Sequence, residues 1–128
     1  MNYWKNENMK KKECGKFCEL YGNTIRNRIL EYIFEINDLD FAVGDMAQDT
    51  GISRPKAYEM IKELEKKKYI KKSRIVAGTQ LFILNKKNKE IEFLMKNFKE
   101  CLKLVIEEHS EKTYSAGKSV GAVSAKPF

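Results

Sequence analysis

A chain of 128 residues makes one domain with room for an arm or tail, and at 42% apolar it supports a modest core. Lys and Arg outnumber Asp and Glu by 25 to 18, a net charge of +7 that either suits a polyanionic partner, nucleic acid or an acidic lipid surface, or serves solubility alone. No segment approaches the roughly 20 apolar residues of a membrane span, and the polar stretch Met1 to Cys14 has no secretory h-region, so a cytoplasmic protein with free thiols and no membrane contact is expected.

Residues 1–22 are mixed and lysine-rich, with Gly15 and Gly22 as breaks and Lys10, Lys11 and Lys12 on a short helix or basic arm. From Thr24 the pattern turns helical. Ile25, Ile29, Tyr32, Ile33 and Ile36 recur at three- and four-residue spacing and share one face. Asn23 or Thr24 can cap this helix, and Asn37-Asp38 ends it. "LDFA", 39–42, reads as a small extended piece. A second helix is expected over 43–50, with Met46 and Ala47 inward and Gly51 as its stop. A third starts after Ser53, whose hydroxyl can accept from the first free N–H groups, and Pro55 sits in the first turn where its missing N–H costs nothing. Ala57, Met60, Ile61 and Leu64 form its inward face, to about Lys68.

The period then changes. "YIKKSRIVAGTQLFILN", 69–85, is β-branched and aromatic and breaks at Ala77-Gly78-Thr79, which predicts a β-hairpin. A fourth helix is expected over 88–111, carrying a broad stripe of Ile91, Leu94, Met95, Phe98, Cys101, Leu102, Val105 and Ile106. Ile91, Phe98 and Val105 recur every seven residues, as a coiled-coil seam would. The expectation is a homodimer joined through Ile91, Leu94, Met95, Phe98, Cys101, Leu102 and Val105. The alternative is that this helix packs back on its own domain, against residues 1–22. The Gly/Ser/Ala-rich end reads as a flexible tail. The division is then a basic arm or short helix at 1–22, a main domain at 23–86, a dimerisation helix at 87–112 and the tail at 113–128.

A helix-turn-helix needs small residues where two short helices touch. Ala47, Gly51, Ile52 and Ala57 are spaced for this: Gly51 is free to take positive φ, Ala47 permits close approach, and Ile52 plugs the gap. The block "DMAQDTGISRPKAYEMIKELEKKKYIKKSRIVAGTQLFILN", within a match from Gly22 to Asn85, resembles the winged helix-turn-helix proteins, especially archaeal members related to MarR- and ArsR-type regulators. The resemblance implies a mainly α fold with a small β-hairpin wing, and sequence-specific binding of double-stranded DNA in transcriptional regulation. Two departures stand out. Ala42 occupies the place where many relatives have a capping Ser or Thr, and the wing tip Ala77-Gly78-Thr79-Gln80 lacks their arginine.

On such a fold the third helix enters the major groove, with Arg54, Lys56, Tyr58, Glu59 and Lys62 outward. Arg54 is the leading base reader, because a guanidinium can donate to guanine O6 and N7 together. Tyr58 can pack on a thymine methyl or reach a phosphate, while Ser53, Lys56 and Lys62 suit the DNA backbone. Lys72, Arg74, Thr79 and Gln80 are the hairpin's candidates. Glu59 and Glu63 read as a solvated face. Cys14, Cys18, Cys101 and His109 could ligate a soft metal only if folding gathered them; small buried thiols and no metal or cofactor are expected. A single histidine and no nucleophile–base pair argue against an enzyme. The rival reading is a protein-docking module, favoured by Ala42 and the bare wing tip and opposed by the positive charge.

Overall fold

The computed structural model describes residues 15–117, with side chains to Ser110. Among the described residues the elements run α1 (Lys16–Tyr21), α2 (Ile25–Ile36), β1 (Phe41–Ala42), α3 (Val43–Thr50), α4 (Arg54–Lys66), β2 (Ile70–Val76), β3 (Thr79–Leu84) and α5 (Lys89–Gly117). Thr24 is the cap of α2, its hydroxyl accepting from Asn27 N at 3.1 Å. The chain leaves that helix through Asn37, one of three non-glycine residues at positive φ among those described. The scrap at 41–42 becomes the third strand of an antiparallel sheet ordered β1-β3-β2, with Phe41 opposite Phe82. Their rings lie 6.3 Å apart and pin the hairpin to the helical body.

The inward faces read from periodicity meet in one core. Ile29, Leu30, Ile33 and Phe34 of α2 pack with Met46 and Ala47 of α3, Ala57, Ile61 and Leu64 of α4, and Ile70 and Leu84 of the hairpin. Glu31 is a buried acid on α2. Its Oε1 accepts from Gly15 N at 2.9 Å and its Oε2 from Cys18 N at 3.2 Å, so it caps α1 from another element. A six-residue helix is too short to stand alone in water, and contacts of this kind hold it.

The expected seam of α5 divides in two. Ile91, Phe98 and Cys101 are 0%, 5% and 3% exposed and lie in the chain's own core, not on a face offered to a partner. Phe98 packs 6.2 Å from Phe17 of α1 and 5.5 Å from Phe34 of α2, an aromatic surface within the same chain that covers it without association. Leu94 and Met95 are half-buried against the same core. Lys16 extends the α1–α5 contact by an ion pair to Glu108 at 2.9 Å. The fold-back alternative therefore describes the first half of α5. Beyond it Leu102, Leu104, Val105 and Ile106 are exposed. The helix continues to Gly117, through the position where a tail was expected to start. The Lys10–Lys12 arm, Cys14 and residues 118–128 lie outside the described residues.

Candidate nucleic-acid interface

Three local devices set α4 against α3. Gly51 closes α3 at φ 74°, in the left-handed region where a side chain would be strained, and Ile52 N then donates to Ala47 O at 3.0 Å. Ile52 is buried between the helices, and Ala57 on α4 is buried with it. Arg28 of α2 donates from Nη2 to the Thr50 carbonyl, an acceptor the end of α3 cannot use itself. The Tyr32 hydroxyl also reaches Asp49 of α3 at 3.4 Å; burial first, and then the Asp49 charge, push its phenol up to about 12, so it remains a donor at neutral pH.

With Ala57, Ile61 and Leu64 buried, α4 exposes Ser53, Arg54, Lys56, Tyr58, Glu59 and Lys62 on its outer side. Ser53 stands at the N-cap, but its hydroxyl makes no capping bond, which corrects the sequence expectation. Pro55 removes one first-turn donor, and Ala57 N closes the turn on the Ser53 carbonyl at 2.9 Å. Lys56 and Lys62 are exposed and form no ion pair among the described residues. At the other end, Asn85 and Asn88 donate to the Lys68 carbonyl at 2.9 and 3.1 Å. Asn88 Oδ1 meanwhile accepts from Glu90 N and Ile91 N and starts α5.

The hairpin turns through Ala77 and Gly78, both at positive φ, as a tight two-residue loop requires. Its pairing register shifts between Lys72 and Ile75. In that irregularity Ser73 Oγ donates to Asp40 Oδ2 at 2.7 Å and Arg74 Nε to the same oxygen at 2.9 Å. Gln80 Nε2 donates to the Arg74 carbonyl at 3.3 Å and to the Leu81 carbonyl at 2.8 Å.

Solved structures with this arrangement supply the comparison. The chain is similar to MepR of Staphylococcus aureus, a transcription regulator of the multidrug efflux pump MepA, at 20% identity and TM-score 0.50, covering 86% of this chain and 85% of that one. A complex of S. aureus MepR with DNA matches at 19% identity and TM-score 0.50 over the same shares, 86% and 85%. The Mycobacterium tuberculosis protein RV1404 matches at 13% identity and TM-score 0.53, covering 93% and 80%. No protein-family model and no curated protein matches the sequence. The fold is a winged helix-turn-helix.

In a winged helix-turn-helix α3 and α4 are the two helices of the motif and the β2–β3 hairpin is the wing. The candidate residues then fall into two groups. Ser53, Arg54, Lys56, Tyr58 and Lys62 are gathered on one exposed side of α4. On the wing Lys72 and Thr79 are exposed, whereas Arg74 and Gln80 are already bonded and meet another partner only by giving up those bonds. Ala42 stands at the N-cap of α3 without a side-chain bond, as its residue type dictates. Sequence reasoning missed Arg28, Glu31, Asp40 and Asn88, each polar residues whose partners lie on another element. These likenesses extend to the winged-helix fold that the MarR- and ArsR-type resemblance implied, and they give the archaeal ancestry no support. Among the described residues no group of three or more His, Cys, Asp or Glu is placed to hold a metal, and no helix is long and apolar enough to cross a membrane. Cys18 and Cys101 are buried, and burial first, then Glu31, holds the Cys101 thiol above its ordinary value.

Proposed function

We propose that this protein is a homodimeric transcriptional regulator that binds double-stranded DNA sequence-specifically, with α4 in the major groove. The observation that carries the reading is the exposed side of α4, where Arg54, Lys56, Tyr58 and Lys62 lie together on a helix locked by the Gly51 turn. Arg54 reads a base edge, Tyr58 meets a thymine methyl or a phosphate, and Ser53, Lys56 and Lys62 align the helix on the backbone. Lys72 and Thr79, with Arg74 and Gln80 once released, give the wing's contribution. The fold of a MepR–DNA complex supports the docking by likeness of shape. Leu102 and Val105 join two copies, which places the two recognition helices about 34 Å apart on a palindromic site. The protein acts in the cytoplasm and without catalysis.

Selection from a random duplex pool at two salt concentrations tests this. Binding that weakens steeply with salt and returns one palindromic sequence is the expected result. Arg54→Ala should then relax the preference at one base pair, at a cost of about 1–3 kcal/mol. An Arg54→Ala protein that selects the same sequence with equal strength removes the base-reading role. The uncapped Ala42 and the arginine-free wing tip favour a protein-docking role instead. Failure to bind any duplex at low salt decides for it.

A further inference from the structure

Gly44 belongs to none of the contacts assigned above, yet Arg54 lies folded onto it. A Cβ at Gly44 would stand 3.0 Å from Arg54 Nη2 and 3.3 Å from Cζ, so the guanidinium fills the space a side chain would need in the first turn of α3. The backbone does not explain this glycine, because Gly44 is helical and is not among the residues at positive φ. Within a helix glycine is a weaker choice than alanine. The space it leaves is what Arg54 uses. Arg54 forms no ion pair or side-chain hydrogen bond among the described residues, so the seat is one of shape rather than of charge.

We propose that Gly44 is a specificity-determining residue of the recognition surface, acting as a seat that sets the direction of the Arg54 guanidinium. This rests on the DNA-binding reading. To read guanine, two N–H groups of Arg54 must reach O6 and N7 together in one plane. An unrestrained arginine spreads over many rotamers and loses that freedom on binding; a seat that narrows them beforehand lowers the ordering cost. Gly44 therefore acts through Arg54 without touching a base.

The test compares the wild-type chain, Gly44→Ala, Arg54→Ala and the double variant in selections from a random duplex pool, with melting followed by circular dichroism. Because the displaced atoms are the far end of a flexible side chain, Gly44→Ala should fold with a Tm no lower than wild type. It should lose about tenfold in discrimination at the same base pair that Arg54→Ala affects. In the double variant, Gly44→Ala should add nothing to the loss caused by Arg54→Ala. A Gly44→Ala protein with wild-type or sharper preference overturns the seat, as does a further loss in the Arg54→Ala background. A clear drop in Tm would make the contact structural and overturn it too. Wild type selecting no sequence at low salt is a different failure: the DNA reading falls, and the seat falls with it.

Discussion

Arg28 links the turn between α3 and α4 to the helix behind it through a single donated bond to the Thr50 carbonyl. Its Nε is buried without a partner among the described residues, so the side chain tolerates some lost hydration in order to place Nη2. Arg28→Met keeps the apolar stem and removes the donor. Chemical unfolding should show a loss of about 1–3 kcal/mol, the cost of a part-buried carbonyl left without its bond. A loss below about 0.5 kcal/mol, the range of an ordinary surface change, would mean that water satisfies Thr50 equally well. Position and role separate at this scale. The place of Ser53 at the start of α4 is legible in the sequence because Pro55 and the apolar spacing mark it. That its hydroxyl makes no capping bond is a matter of side-chain direction and is not. Arg28 and Glu31 carry no local mark at all, since their partners are 22 and 13–16 residues away.

The wing is held to the body by an element that periodicity barely registers. Two residues of β1 have no period to read, and only pairing with β3 makes them a strand. Asp40, just before them, accepts from Ser73 and Arg74 across the sheet edge. The Arg74 bond first, and then the Ser73 bond, hold the Asp40 carboxyl below the ordinary carboxylate range. A depressed folded pKa means that the latch contributes above the unfolded pKa and is lost as pH falls through the folded one. The latch is thus intact at neutral pH and opens only in acid, below the range in which an ordinary aspartate titrates. Amide shifts of Ser73 and Arg74, followed by NMR from neutral pH into acid, should show one transition that Asp40→Asn abolishes. The same transition in Asp40→Asn would assign it to another acid. The hairpin itself was legible, because its β-branched run and Ala77-Gly78 break are local; the irregularity after Lys72 that turns Arg74 toward Asp40 was not.

At the level of the whole molecule the two halves of α5 differ: the first is buried in the core and the second carries exposed apolar residues. Phe98 is enclosed by Phe17 and Phe34, so Phe98→Ala should cost about 3–5 kcal/mol of stability. Leu102 and Val105 are 44% and 41% exposed, so replacing both by glutamate should leave helical circular dichroism intact while halving the mass seen by light scattering. A wild-type protein that is monomeric at micromolar concentration removes the dimer, and a double variant that stays dimeric moves the interface elsewhere. Composition and spacing determine by themselves that there is a polycationic chain, which segments are helix and hairpin, and which faces of α2, α3 and α4 turn inward, because the periods of helix and strand are local. They also show that α5 has more apolar surface than one face requires. Only the tertiary structure decides that Ile91, Phe98 and Cys101 are core, that Arg74 is tied to Asp40, and that Arg54 rests over Gly44. Each of these depends on which distant residue arrives opposite, and a one-dimensional pattern does not contain that.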